Sequence, residues 1–321
     1  ALHIPQPLVK TSALHNPCVP EQGWPAERCS FTQKQLDEIS AIKQRHARTC
    51  LNPSASLRVN PSQSSCHDLL LTETLPGLVS ILIPFRDRVE LTKTCVHSLQ
   101  ANASDSVPFE IILIDNGSEE DCTKAWIQEI TQSTNIHCLR IDEPFNFSRL
   151  NNLARKVCNG DHLLFLNNDI EFLSPNVLNQ LLDPFAHPGT AAVGTRLLYP
   201  DRSIQHQGVV IIKGERRCVL EPGKHLHQPE VIDGLIPLKV QEEFSAASAA
   251  CLLVKADRFD AIGGFNEELA VVFNDVDLCL RLREAGGHIV VTPHPTIIHH
   301  ESVSRGKDLE GKAWARHQRE S

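Results

Sequence analysis

Three short clusters of acids, amides and histidines stand where apolar stretches of this 321-residue chain give way to polar residues. In LLFLNNDIEF, Leu163 to Leu166 form an apolar run of strand length that stops at Asn167, Asn168 and Asp169 and resumes at Ile170. A buried strand there delivers a carboxylate to its own C-terminal edge, which is where open α/β sheets bind ligands. An Asp flanked by two amides suits a hydrated divalent cation carrying a phosphate, because hard cations take oxygen ligands. The same three residues would equally make an ordinary Asx turn. In the second cluster, Asn274-Asp275-Val276-Asp277 opens a helical pattern carried by Val276, Leu278, Leu280 and Leu282. The helix dipole favours acids in a first turn, so a plain cap also accounts for Asp275. The third cluster, His299-His300-Glu301-Ser302, closes an apolar C-terminal stretch.

The elements that must position these groups begin at Leu78. VSILIPFRDR reads as an apolar strand stopped by Pro84 and followed by charge, and VELTKTCVHSLQ as an amphipathic helix. EIILIDNGSEED gives a second strand that breaks at Asp115-Asn116-Gly117-Ser118, with a helix around Thr123–Thr131. Strand, helix, strand, helix predicts a parallel sheet with right-handed crossovers, which gathers Arg86, Asp87 and Asp115 along one edge. Neither G-x-G-x-x-G nor G-K-[ST] follows the first strand, which removes the dinucleotide-binding and P-loop readings.

A third strand is expected near His137–Ile141. Next comes a helix through Arg149, Asn152, Leu153 and Val157, capped by Asn146 or Ser148 and stopped by Gly160. PNVLNQLLDPFAHP reads as a helix and AAVGTRLLYPDRSIQHQGVVIIKG as strand and irregular β-structure, with His206 in a structural role. The segment 214–238 reads as loop, its His225 and His227 as surface residues. Gly263-Gly264 predicts a turn with close backbone approach. HIVVTPHPTIIHHES reads as a strand, a Pro-broken turn and a second short strand. Residues 1–76 hold 8 of the 20 prolines and read as an extension or linker with one helix at Phe31–Cys50. The main domain is expected over 77–306, followed by a helical tail at 307–321.

Composition narrows the function classes. At 41% hydrophobic residues the chain can fill a substantial core, and a net charge of −8 argues against a nucleic-acid partner or an anionic membrane surface. No apolar run reaches membrane-span length, so any membrane contact is expected to be peripheral. The 11 cysteines are odd in number and contain no C-x-x-C pair, which fits a reducing cytoplasm better than a disulfide framework or a zinc ribbon.

VSILIPFRDR, IILIDNGS, NFSRLNNLA and LLFLNNDIEF, in this order, resemble the nucleotide-binding half of a glycosyltransferase family 2 enzyme with the GT-A fold. FNDVDLCLRLREAG and HHES resemble its acceptor half, in a subgroup acting on bacterial surface polysaccharides that includes rhamnosyltransferases. The resemblance implies an α/β domain with a mixed sheet flanked by helices. It also implies an inverting, metal-dependent transfer from a nucleotide-sugar, UDP- or dTDP-linked, to a glycan or lipid-linked acceptor.

Where the family often has D-x-D, this chain keeps only the last acid, so Asp169 is the metal ligand, for Mn2+ or Mg2+. Asp275 matches the general base, with Asn274 where a Glu is usual; Glu267 and Glu268 are weaker alternatives. One of His299 and His300 joins the metal or diphosphate, His300 being preferred, since neighbouring strand residues face opposite ways. Asp87 and Asp115 are expected at the base and ribose, with Pro84, Arg86 and Asn168 beside the donor. Arg149 is expected at the nucleotide or diphosphate, and Arg305, followed by Lys307, in a loop closing over the diphosphate. Rival readings are a sugar-phosphate nucleotidyltransferase, which would need a glycine-rich loop that PFRDR lacks, and a non-catalytic glycan-binding domain. The extension at 1–76 is also compatible with one domain of a larger polymerase.

Overall fold

The computed structural model describes residues 77–104, 106–212, 218–221, 224 and 241–300. The helix expected at Phe31–Cys50, the 307–321 tail, His225, His227 and the Arg305 loop lie outside the described residues.

β1 (Val79–Phe85) is buried along its whole length, as a strand covered on both faces must be. It is followed by α1 (Val89–Asn102), β2 (Phe109–Asp115), α2 (Asp121–Ile130), β3 (Ile136–Arg140), α3 (Phe147–Arg155) and β4 (His162–Leu166). β1 pairs in parallel with both β2 and β4, and β2 with β3. The four strands therefore end on one edge, with Phe85 opposite Asp115 and Asp115 opposite Arg140. The strand order reverses direction at β1, which opens the crevice where α/β sheets take ligands.

The chain continues through β5 (Ile170–Phe172), α4 (Val177–Leu182), β6 (Thr190–Leu198), β7 (Ile204–His206), β8 (Val210–Ile212), β9 (Cys218–Leu220) and β10 (Glu242–Phe244). The described residues end with β11 (Cys251–Lys255), α5 (Ala256–Ala261), α6 (Asn274–Glu284) and β12 (His288–His299). Here the sheet becomes mixed, in the order β10-β12-β6-β11-β4-β1-β2-β3, with β5 hung on β12 and β7 on β6. One core joins the sheet to α1, α2 and α4 through Val96, Leu99, Trp126 and Leu178. The other joins the opposite face to α3, α5 and α6 through Leu150, Phe259 and Leu278. The layering is helices, mixed sheet, helices, as expected. No helix among the described residues is long and apolar enough to cross a membrane.

Several boundaries differ from the sequence reading. Asn146, not Ser148, caps α3, accepting the Arg149 N–H at 3.0 Å, and the helix ends at Arg155 rather than running through Val157. The helix read in PNVLNQLLDPFAHP stops at Leu182 and tightens into a 3-10 turn over Asp183–Ala186, where Pro184 removes an amide donor. The predicted strand, turn and strand at the C-terminus are one strand, β12, with its register against β6 shifted between Thr292 and Ile297. Within 214–238, read as loop, Cys218–Leu220 pairs antiparallel with β8.

The edge opposite the crevice is closed by a buried carboxylate. Glu110 accepts from Ser80 Oγ at 2.6 Å and from the Asn159 N–H at 2.7 Å, while the Gly160 N–H donates to Ser80 Oγ at 2.8 Å. Burial raises the Glu110 pKa, but the Ser80 and Asn159 hydrogen bonds outweigh it and hold the carboxyl below its ordinary 4.5. A carboxylate with a depressed folded pKa contributes stability that is present above the unfolded value and is lost as pH falls through the folded one. Glu110→Ala should cost ~1–3 kcal/mol at pH 7 by orphaning buried donors. Urea denaturation at stepped pH should then show the variant losing less stability than the wild type between neutral pH and the acid side of that carboxyl. Parallel acid limbs would refute this account.

Candidate active site

β4 is buried at every position, between β1 and β11. Its apolar run stops at Leu166, and the chain turns through Asn167, Asn168 and Asp169 into β5. β5 pairs antiparallel with the end of β12, which sets His299 opposite Ile170. The pairing joins groups 132 residues apart in sequence: Asn167 Nδ2 lies 3.3 Å from His299 Nε2. His299 Nε2 is also 3.1 Å from Asp169 Oδ1, whose residue is 5% exposed.

On the other side of the ring, His299 Nδ1 sits 2.6 Å from Gln205 Oε1. An amide oxygen only accepts, so in the neutral ring the proton is on Nδ1 and Nε2 keeps its lone pair. That lone pair accepts from the Asn167 amide and faces the Asp169 carboxylate. A lone pair and a carboxylate oxygen this close repel unless a proton or a metal cation lies between them. Adjacent ligands of an octahedral ion bonded at ~2.1 Å lie about 3.0 Å apart, so one carboxylate and one imidazole at this spacing fit a divalent cation. Among the described residues no group of three or more His, Cys, Asp or Glu converges into an all-protein cage.

His300 is not the histidine beside Asp169. β12 ends at His299, and the His300 ring turns to Glu171, with Nε2 2.9 Å from Oε2. The His300 N–H donates to the Asp169 carbonyl at 2.9 Å, so its backbone rather than its ring supports the turn. The structure thus sets His299, not the preferred His300, beside Asp169, because the strand stops between them. Asn168, expected beside the donor, donates instead to Thr92 Oγ1 at 3.1 Å and ties the turn to α1.

Asp275 stands in the first turn of α6. Phe273, the residue before the helix, has φ 60°, a left-handed conformation that costs a bulky side chain energy and turns the chain sharply. Asp275 Oδ1 accepts the Val276 N–H at 2.8 Å and Oδ2 accepts the Ala249 N–H at 3.1 Å. The next carbonyl, that of Ala250, accepts the Asn167 N–H at 3.0 Å. One dipeptide, Ala249-Ala250, therefore separates the two acidic clusters. His206 fixes that loop, its buried Nε2 accepting from the N–H groups of Ser248 at 3.1 Å and Gly208 at 3.2 Å. Neighbouring residues of β7 face opposite ways, so Gln205 serves His299 while His206 serves the loop. The structural role read for His206 matches this geometry. Gln205 was missed, and its only signal was that adjacency.

Pro84, Arg86, Asp87 and Asp115 gather at the ends of β1 and β2. Asp115 Oδ1 accepts the Ser118 N–H at 2.8 Å and Oδ2 takes the Arg140 guanidinium at 2.9 Å. Asp87 Oδ1 accepts the N–H groups of Glu119 and Glu120 at 2.8 and 2.9 Å, and Arg86 reaches Glu119 at 3.5 Å. Arg149 is turned elsewhere, its guanidinium bonded to Glu143 and Glu267. Burial pushes the Cys251 thiol up to about 12 and raises Cys95 as well, so neither supplies a thiolate nucleophile.

If Gln205 holds the His299 ring for a cation, Gln205→Leu should weaken Mn2+ binding to the nucleotide-free protein by ~10–100-fold, as loss of such outer partners does. Titration of Mn2+ followed by electron paramagnetic resonance reads this directly. An unchanged affinity in a variant with a wild-type melting curve would sink it.

Residues 80–223 match the model of the family described as Glycosyl transferase family 2. The chain is 39% identical over 282 residues to the uncharacterized protein y4gI of Sinorhizobium fredii, covering 87% of this chain and 30% of that protein. It is 35% identical over 230 residues to the O-antigen biosynthesis protein RfbC of Myxococcus xanthus, covering 72% of this chain and 18% of that one. The chain thus spans less than a third of either relative. Among solved structures, GalNAc-T7 with UDP, GalNAc and Mn2+ superposes with a TM-score of 0.56 at 16% identity, covering 69% of this chain and 43% of that one. The matched segment spans the parallel strands around β1 and the turn after β4, and this chain carries a glycosyltransferase family 2 domain built on the GT-A fold.

Proposed function

We propose that the domain transfers a sugar, with inversion at the anomeric carbon, from a UDP- or dTDP-linked donor to a hydroxyl of a glycan or lipid-linked acceptor in surface polysaccharide synthesis. The observation that carries this is the pair of acidic clusters held on separate elements and divided by one dipeptide, Asp169 with His299 on one side and Asp275 on the other. The relative named for O-antigen biosynthesis supports a polysaccharide acceptor, and the UDP and Mn2+ of GalNAc-T7 support the donor class and the ion.

Asp169 Oδ1 and His299 Nε2 would hold a divalent cation, Mn2+ or Mg2+. When bound, such an ion neutralises charge developing on a leaving diphosphate. Pro84, Arg86, Asp87 and Asp115 frame the nucleoside, and Asn168 holds the turn that carries Asp169. Asp275 is the base. Each of its oxygens accepts one backbone N–H and retains a second lone pair for the acceptor proton. The acceptor oxygen bonds to the anomeric carbon as the bond from that carbon to the diphosphate oxygen breaks. The electron pair leaves with the diphosphate and the proton goes to Asp275, with no covalent sugar on the protein.

A panel of UDP-, dTDP- and GDP-sugars, assayed for nucleotide release with acceptor and Mn2+, tests this reading. Asp275→Asn should lower kcat by ~10²–10⁴ while nucleotide affinity stays within about twofold. Asp169→Asn should weaken Mn2+ binding as well as turnover. Product NMR should show an anomeric configuration opposite to the donor's. A retained configuration would refute inversion, and failure to bind any nucleotide would refute the function.

A further inference from the structure

The NFSRLNN segment is spent on the acceptor side of the fold. Asn146 Nδ2 donates to the Glu267 carbonyl at 2.8 Å, the Phe147 N–H to the Ala270 carbonyl at 2.8 Å, and Ser148 Oγ to the Leu269 carbonyl at 2.6 Å. The Asn152 amide accepts the Phe265 N–H and donates to the Phe265 carbonyl, both at 2.9 Å. This approach requires Gly264, which has φ +75° and whose added Cβ would lie 2.6 Å from Asn152 Oδ1. Phe265 then anchors the loop among Phe147, Phe165 and Phe259, with ring centroids 4.8–5.6 Å away. The loop held this way, 265–270, leads directly into the turn and helix that present Asp275.

Arg149 extends the attachment outward. Its Nη1 donates to Glu267 Oε2 at 3.1 Å, while Nε and Nη2 fork onto the Glu143 carboxylate. The Glu143 carbonyl accepts Asn116 Nδ2 at 2.8 Å, and Asn116 directly follows Asp115 on the nucleotide edge. A continuous set of bonds thus runs from the end of β2 to the loop before α6. The Arg149 bond holds the Glu143 carboxyl below its ordinary range, and the Asn152 and Arg149 bonds do the same for Glu267.

We propose that Glu143, Arg149 and Glu267 form an ionic tie that fixes the acceptor-side loop, and with it Asp275, against the nucleotide edge. Arg149 is then a positioning residue and not a ligand of the donor. The kinetic consequence rests on the glycosyl-transfer reading, whereas the tie itself can be measured without turnover.

Hydrogen exchange, calorimetric binding of a nucleoside diphosphate with Mn2+, and acceptor kinetics on Arg149→Met test the tie. Amide exchange across 265–273 should rise about tenfold, with β1 unchanged as the check that the variant is folded. Acceptor KM should rise about tenfold while nucleotide Kd stays within about twofold. Arg149→Lys should resemble Arg149→Met, because a point charge cannot fork between two carboxylates. Glu267→Gln keeps an acceptor for Asn152 but loses the charge. It should loosen the same loop, and the double variant should lose little more than either single one. Weakened nucleotide binding in Arg149→Met would overturn the proposal by making Arg149 a donor contact. Unchanged exchange in both single variants would overturn it as well. A wild type that turns over no donor would refute glycosyl transfer and leave the exchange data to decide the tie.

Discussion

A carboxylate 5% exposed at the end of a central strand cannot stand alone. Removing an ion from water costs several kcal/mol or more unless partners or a cation compensate. The crevice edge is arranged around that requirement at Asp169. β5 turns back to pair with β12, which sets His299 against the carboxylate. β7 returns beside β6 so that Gln205 fixes the ring's proton on the far nitrogen. Buried polar groups need their hydrogen bonds, and here each satisfied group orients the next.

The same economy couples the two acidic clusters. His206, next to Gln205 on β7, holds the loop whose Ala249 N–H meets Asp275 and whose Ala250 carbonyl meets Asn167. A displacement of β7 would therefore disturb both acidic clusters together. α3 contributes the third support, tying 265–270 to the body of the domain through Asn146, Ser148 and Asn152. The site is built from a turn between two strands, strand ends, one short loop and one helix start, held by hydrogen bonds to one another, which suits a reaction that depends on alignment.

Much of this was legible in the residues. VSILIPF, EIILID and HLLFL are too continuously apolar for half-exposed strands, and with helical segments between them they predict the parallel half of the sheet. Polar residues at the strand ends place Asp87, Asp115 and Asp169 on one edge. Gly263-Gly264 announced a close approach, and Asn152 is what approaches. Helix ends were less legible: Pro184 tightened α4 into a 3-10 turn, and Arg155 ended α3 before Val157. Alternation could not separate His299 from His300, because it says only that neighbours diverge and not which of them faces Asp169.

Local chemistry, then, determined which groups this protein has to work with: apolar runs that must be buried as strands, a carboxylate left at the end of one, and an acid at the start of a helix. Periodicity is a property of adjacent residues, so a linear reading recovers it. Only the tertiary structure decided which groups meet. His299 faces Asp169 because β12 and β5 share a register, Gln205 reaches His299 because β7 folds back on β6, and Arg149 turns to Glu143 and Glu267 because loop 265–270 lies across α3. Gln205 and His299 are 94 residues apart, Arg149 and Glu267 118, and Asn167 and His299 132. Their geometry is set by sheet register and loop packing, which no local spacing encodes.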